Sequence, residues 1–246
     1  MPSGNIDKKK LIGRKILPTI TTTHGSDWRK KIGEINKLGL EEVALFPTCL
    51  DLGGRSELYG LLEKSGLKKI PYVHLRNDMT PKEIGGLIER FGAEIFNLHT
   101  EREFPFANDY SKYAKNIFIE NIYFPLSEVE IEKFGGICVD FSHLENDRLL
   151  YPEKFRHNVR LIEKFKIGCN HIATIKKEAR IDPGNKYDRS NRRYDAHDYC
   201  DLSEFDYLKN YPLNYFSNYI AIELENTIEE QLLAKEYLEK LINKLK

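Results

Sequence analysis

Hydrophobic positions along this chain fall into two alternating patterns. Short apolar, β-prone runs occupy residues 16–22, 42–46, 70–74, 94–98, 117–122, 136–141, 171–175 and 219–224. Several are continuously apolar, as strands covered by helices on both faces must be. Between them lie stretches with apolar residues at helical spacing. Over 28–38, Ile32, Ile35 and Leu38 share a face, Asp27 precedes the segment and Gly39 closes it. Thr80-Pro81 opens a second helix through Phe91, with Glu83 at its third position and Gly92 beyond its end. Further helices are expected over 127–134, 152–165, 203–208 and 227–245, with a shorter one near 108–115. The last long one carries Ile228, Leu232, Leu233, Leu238, Leu241, Ile242 and Leu245.

Eight strands alternating with helices through mostly short connections predict an α/β fold, a single (β/α)8 TIM barrel over residues 16–246. Residues 1–15, basic and without a following apolar core, read as a flexible tail and not as a signal peptide. An open doubly wound sheet is the alternative arrangement. No G-x-G-x-x-G follows the first strand, which argues against its dinucleotide-binding form. The length of 246 residues suits one barrel domain.

Charge narrows the partners. Thirty-eight basic residues balance thirty-eight acidic ones, so no global field draws nucleic acid or a membrane to the protein. No apolar run reaches the roughly 20 residues of a membrane span, so no membrane partner is expected. Cys49, Cys138, Cys169 and Cys200 form no C-x-x-C pair and read as reduced thiols of a cytoplasmic protein.

The chemistry gathers at strand ends. His74, His99, Glu120, Asp140, His143, His171, Asp195, His197 and Glu225 each stand at or just beyond the end of an apolar run. In an eight-fold β/α chain those ends converge on one face. Singly, most are weak: a strand-end histidine is more often a hydrogen-bonded structural residue, and D-x-x-H or D-x-H occurs in ordinary turns. Glu120, inside IFIENIYF, is harder to explain that way, because a carboxylate in a buried strand needs a cation or a donor. Glu223 and Glu225 share a strand face by the two-residue period, and Glu225 is preferred as the ligand because it lies nearer the expected strand end. Six of the seven histidines follow strands, and only His157 falls within an expected helix. Histidine with carboxylate and without clustered thiolates suits Zn²⁺, with Mn²⁺ or Mg²⁺ as alternatives. Residues 176–193 carry seven basic and three acidic side chains. They read either as a solvated loop or as a basic flap whose Lys176, Lys177, Arg180, Arg192 and Arg193 bind phosphate.

In order and spacing these residues resemble the xylose isomerase-like TIM barrels, and within them the endonuclease IV family of abasic-site nucleases. Histidines after strands three and four, I-E-N at strand five, D-x-x-H at strand six, a histidine at strand seven, D-x-H, and a final L-E-N-T carry the likeness. The resemblance implies up to three metal ions. His74, His99 and Glu120 would hold one, Glu120 would bridge to a second held by Asp140, His171 and Glu225, and His143, Asp195 and His197 would hold a third. It implies hydrolysis of a phosphate ester, damaged DNA among the candidates, with Glu120 and Glu225 at the catalytic centre. The second reading within the same superfamily is a sugar or sugar-phosphate isomerase or epimerase. It would use Glu120, Asp140, His171 and Glu225 around one metal, with a small sugar as substrate.

Overall fold

The computed structural model describes residues 13–181 and 192–245. Most of the expected tail, residues 1–12, lies outside that range. Eight parallel strands close into a barrel. They are β1 (Lys15–Thr21), β2 (Glu42–Phe46), β3 (Lys69–His74), β4 (Ile95–Leu98), β5 (Ile117–Glu120), β6 (Ile137–Asp140), β7 (Ile167–Ile172) and the last strand of the chain, β10 (Tyr219–Ile222). β1 pairs with both β2 and β10, and this completes the ring. The expected TIM barrel is the fold observed.

The strand pleat sorts each strand into two cores. Leu17, Ala44, Phe46, Tyr72, Phe118, Cys138, Cys169 and Ala221 fill the barrel interior. Their neighbours, such as Val73, Ile119, Val139, Ile172 and Ile222, pack outward beneath the helices. Successive side chains alternate faces, so a residue two positions beyond an interior one also faces inward. That rule carries Tyr72 to His74, Phe118 to Glu120, Cys138 to Asp140, Cys169 to His171 and Ala221 to Glu223. Five candidate ligands therefore crown the apolar interior at its C-terminal mouth.

The covering helices are α1 (Trp28–Leu38), α2 (Leu52–Glu63), α3 (Pro81–Phe91), α4 (Glu128–Ile131), α5 (Phe141–Leu150), α6 (Pro152–Lys164) and α7 (Ile228–Ile242). The expected caps are present: Asp27 accepts from the Lys30 amide, Thr80 accepts from that of Glu83, and Gly39 and Gly92 take left-handed conformations. Thr227 and Glu230 close a reciprocal capping box at α7.

Several elements differ from the sequence expectation. The segment between the second and third strands, where no helix is expected from the sequence, is α2, capped by Asp51; its Gly53-Gly54 pair obscures the helical pattern. α5, absent from the sequence reading, starts directly at the end of β6, and every residue from Phe141 to Asp147 is buried. A helix buried all round shows no amphipathic period, which is why it escaped the pattern. β7 starts at Ile167 and not at His171. Gly168 weakens the strand signal, yet only glycine fits there, since a Cβ would stand 2.1 Å from Phe118 Cε1. The run read as continuing to residue 175 turns instead into an antiparallel pair, β8 (Thr174–Ile181) with β9 (Arg192–Ala196). Residues 182–191 between them lie outside the described range. Three expected helices take other forms: 108–115 gives a 3₁₀ turn at Ser111–Asn116, 127–134 shortens to α4, and 203–208 lies within a 3₁₀ segment at Leu202–Asn210.

Among the described residues no helix is long and apolar enough to cross a membrane. Cys138 and Cys169 are buried in the barrel, while Cys49 and Cys200 are exposed.

Candidate metal centre

Glu120 stands at the middle of the mouth, 1% exposed, at the end of β5. Its two oxygens face different partners. Oε2 lies 3.1 Å from His74 Nε2 and 3.7 Å from His99 Nε2, and it also accepts a 2.6 Å hydrogen bond from Asn97 Nδ2. Oε1 lies 3.5 Å from His171 Nδ1. Burial by itself would raise the Glu120 pKa, but the surrounding imidazoles, His171 foremost and His99 next, hold it well below the usual carboxylate range.

On the Oε2 side, the Nε2 atoms of His74 and His99 are 3.2 Å apart. His74 Nδ1 lies 2.9 Å from the Leu75 carbonyl. Donating its N–H there leaves the Nε2 lone pair aimed at Glu120, the orientation a metal ligand takes. Burial lowers the His99 pKa to about 4, overriding Glu120, so this ring is neutral at ordinary pH and one ring nitrogen offers its lone pair.

On the Oε1 side, His171 Nδ1 also lies 3.6 Å from Asp140 Oδ2 and 3.4 Å from Glu223 Oε2. Asp140 divides its work. Oδ1 caps α5 by accepting from Ser142 Oγ and the His143 amide, and Asn121, just past β5, clasps its backbone. Oδ2 is buried without a hydrogen-bond partner, as are both ring nitrogens of His171 and Nε2 of His197. Unpaired buried lone pairs are costly, and several aimed at one space fit a cation.

Four groups of ligating atoms lie within 4.8 Å of one another: His74 with His99 and Glu120; Glu120 with Cys138 and His171; Glu120 with Asp140 and His143; and Asp140 with His171 and Glu223. These buried clusters could hold a metal ion. A cavity of about 360 Å³ opens over them, walled by His99, Phe104, Tyr123, Arg193, His197 and Glu223 among others.

The nine sequence candidates are not all brought to that centre. His74, His99, Glu120, Asp140, His143 and His171 are. Glu223 takes the position expected of Glu225. β10 ends at Ile222, so Glu223 is the last residue obeying the pleat, and the chain then turns as the Leu224 amide bonds the Ile222 carbonyl. The Glu225 amide donates to the His197 carbonyl at 2.6 Å, and its carboxylate packs against Gly25. There it helps balance Lys31, away from His171. The sequence leaves Glu223 and Glu225 open with a preference for Glu225, since both share the parity of interior Ala221; the end of β10 at Ile222 separates them. His197 Nε2 lies 3.8 Å from Glu223 Oε1. With burial opposing it, His197 and then His171 hold the Glu223 pKa down to about 2.

Asp195 is fully buried in a forked ion pair with Arg193, and His143 Nδ1 lies 3.3 Å from its Oδ2. Neither Asp195 nor His197 enters the four groups. Of the five basic residues expected at the substrate, Arg193 lines the cavity. Lys176 pairs with Glu204 at 2.7 Å, and Lys177, Arg180 and Arg192 are exposed. The β8–β9 pairing that makes this division was not visible in composition, because charge counts do not say which side of a strand a residue occupies.

No family model matches this chain, and no curated protein matches it in sequence.

Proposed function

We propose that this protein is a divalent-metal-dependent phosphoesterase with two adjoining metal positions that share Glu120. The observation that carries this reading is the division of one carboxylate between two ligand sets. Glu120 Oε2 faces His74 and His99, and Oε1 faces His171, which in turn meets Asp140 and Glu223. A carboxylate shared between a two-histidine set and a set of one histidine with two further carboxylates suits a pair of ions, and zinc is the metal favoured by the donor types. Such ions, when bound, supply Lewis acidity to a phosphoryl oxygen and to water.

The side chains of this chain do the remaining work. Glu120, Asp140 and Glu223 provide fixed negative charge that holds the ions. His74 is oriented through its Leu75 contact. Arg193 presents a guanidinium at the cavity wall, where an anionic substrate group would meet it. The cavity of about 360 Å³ is in the range of small-molecule sites, so the substrate is a phosphate ester whose reacting part fits there, with a single extrahelical nucleotide as the upper bound in size.

A second reading has its own observation. Glu120, Asp140, His171 and Glu223 gather around one space, the four-ligand pattern of a single-metal sugar isomerase or epimerase. It gives no work to His74 and His99, which form a separate group with Glu120.

Metal analysis of purified protein, with parallel assays on bis(p-nitrophenyl) phosphate, an abasic-site oligonucleotide and aldose–ketose pairs, tests the choice. Two ions per chain with phosphoester cleavage that is lost in Glu120→Gln is the expected result. One ion per chain with sugar interconversion and no cleavage would overturn it.

A further inference from the structure

His143 looks two ways. Its Nε2 faces Asp140 Oδ2 at 3.7 Å on the metal side. Its Nδ1 faces outward to Asp195 and to Arg193, whose Nη2 lies 2.7 Å away. The same Nη2 bonds Asp195 Oδ2, and Arg193 Nε donates to Asp195 Oδ1 at 2.8 Å. One guanidinium nitrogen thus sits between an imidazole nitrogen and a carboxylate oxygen, a position a metal ion could otherwise take. Tyr123 completes the seat: its hydroxyl accepts from Nη1 at 3.1 Å, and its ring lies 5.2 Å from the guanidinium carbon. The backbone is held as well, since the Tyr194 amide donates to Asn146 Oδ1 on α5 at 2.8 Å.

We propose that Arg193 is a resident cation at this third position, so that His143 and Asp195 serve an arginine in place of a metal ion. The proposal rests on the reading of the Glu120 groups as a metal centre. Asp195 is entirely buried, and a buried carboxylate requires a positive partner. Arginine meets that need permanently, because it does not lose its proton and its fork matches a carboxylate. Among the described residues, four carboxylates belong to the metal groups or pair with Arg193: Glu120, Asp140, Asp195 and Glu223. Two divalent ions and one guanidinium exceed them by one positive charge, enough to favour an anionic substrate without a third ion. Asp195 and Arg193 then act as positioning residues that hold His143 from behind.

The test counts metal. Apo-protein is titrated with Zn²⁺, and the bound ions are counted after removal of free zinc, for the wild type, Arg193→Met, Asp195→Asn and Arg193→Met with Asp195→Asn. Arg193→Met is expected to bind one ion more than wild type, and the added Asp195→Asn change is expected to abolish that extra ion. Asp195→Asn alone is expected to keep the wild-type count. A wild type that binds three ions, a folded Arg193→Met with no gain, or an Asp195→Asn that loses an ion would each overturn the proposal. Should Arg193→Met not fold, the wild-type and Asp195→Asn counts still decide. A wild-type count of one would sink the two-ion reading alone, since this proposal concerns only the increment.

Discussion

Glu223 Oε2 lies 3.4 Å from His171 Nδ1 where β10 and β7 end side by side, with Ile222 registered against Ile172. The neighbouring Glu225, separated by one leucine, is turned away to Gly25. The two glutamates should therefore separate in experiment. Glu223→Gln is expected to weaken zinc binding by about 100-fold or more, since even outer partners of metal ligands are worth about 10- to 100-fold. Glu225→Gln should leave zinc affinity near that of wild type. Competition against a chromogenic chelator measures both, and equal losses would contradict the assignment.

Metal should also hold the fold together, because Glu120, Asp140 and His171 are buried, and Asp140 Oδ2 and both His171 ring nitrogens have no hydrogen-bond partner. A ligand present at 100 times its Kd adds about 2.7 kcal/mol. For a chain of this size each kcal/mol moves Tm by about 2–4 °C. Chelation is expected to lower Tm by about 5–10 °C, and by much less in Glu120→Gln, which has little metal to lose. Calorimetry with and without chelator checks this.

Lys31 is buried beneath the mouth, donating to Thr21 Oγ1 at 2.8 Å and to the Leu224 carbonyl at 2.7 Å. Burial pushes its pKa down to about 8, against the pull of Glu225 and Glu34. The folded state therefore penalises the ammonium. Between about pH 8 and 10.5 the unfolded chain keeps a proton that the folded chain has released. Stability from this group rises with pH across that window, by at most about 1.4 kcal/mol per unit, and is flat below it. Lys31→Met should lose that rise. Urea unfolding of both proteins from pH 7.5 to 10 reads the difference, and parallel curves would refute it.

Arg55, 1% exposed, joins α2 to α3 through two hydrogen bonds to Glu83, at 2.7 and 3.1 Å, and also meets Asp78 at 3.2 Å. Tyr59 donates to the same Glu83 at 2.8 Å. Removing one partner strands the other charges, so Arg55→Met is expected to cost about 3–5 kcal/mol without changing the metal count. A loss below about 1 kcal/mol would mean the pair is worth no more than a surface ion pair.

Much of this architecture is legible in residue order. The barrel follows from apolar runs at regular intervals, and the helix ends follow from Asp27, Gly39, Thr80 and Gly92, whose effects are local. His74, His99, Glu120 and Asp140 were visible because each stands at or near the end of an apolar run, and His171 because it adjoins one. α5 was hidden, since its polar and apolar residues are buried alike and show no amphipathic period, and α2 was masked by paired glycines.

Local periodicity thus determined the fold and the identity of most donors at the mouth. Tertiary structure alone decided which carboxylate reaches His171, because that depends on where β10 stops and on the bond from Glu225 to the His197 carbonyl. It also decided that the local Arg193–Asp195 pair on β9 meets His143 and Tyr123, through a β8–β9 pairing that bends the chain back over the centre. Spacing tells which residues share a face. Only the closed barrel tells how far along that face the chain continues, and which charge arrives from the other side to meet it.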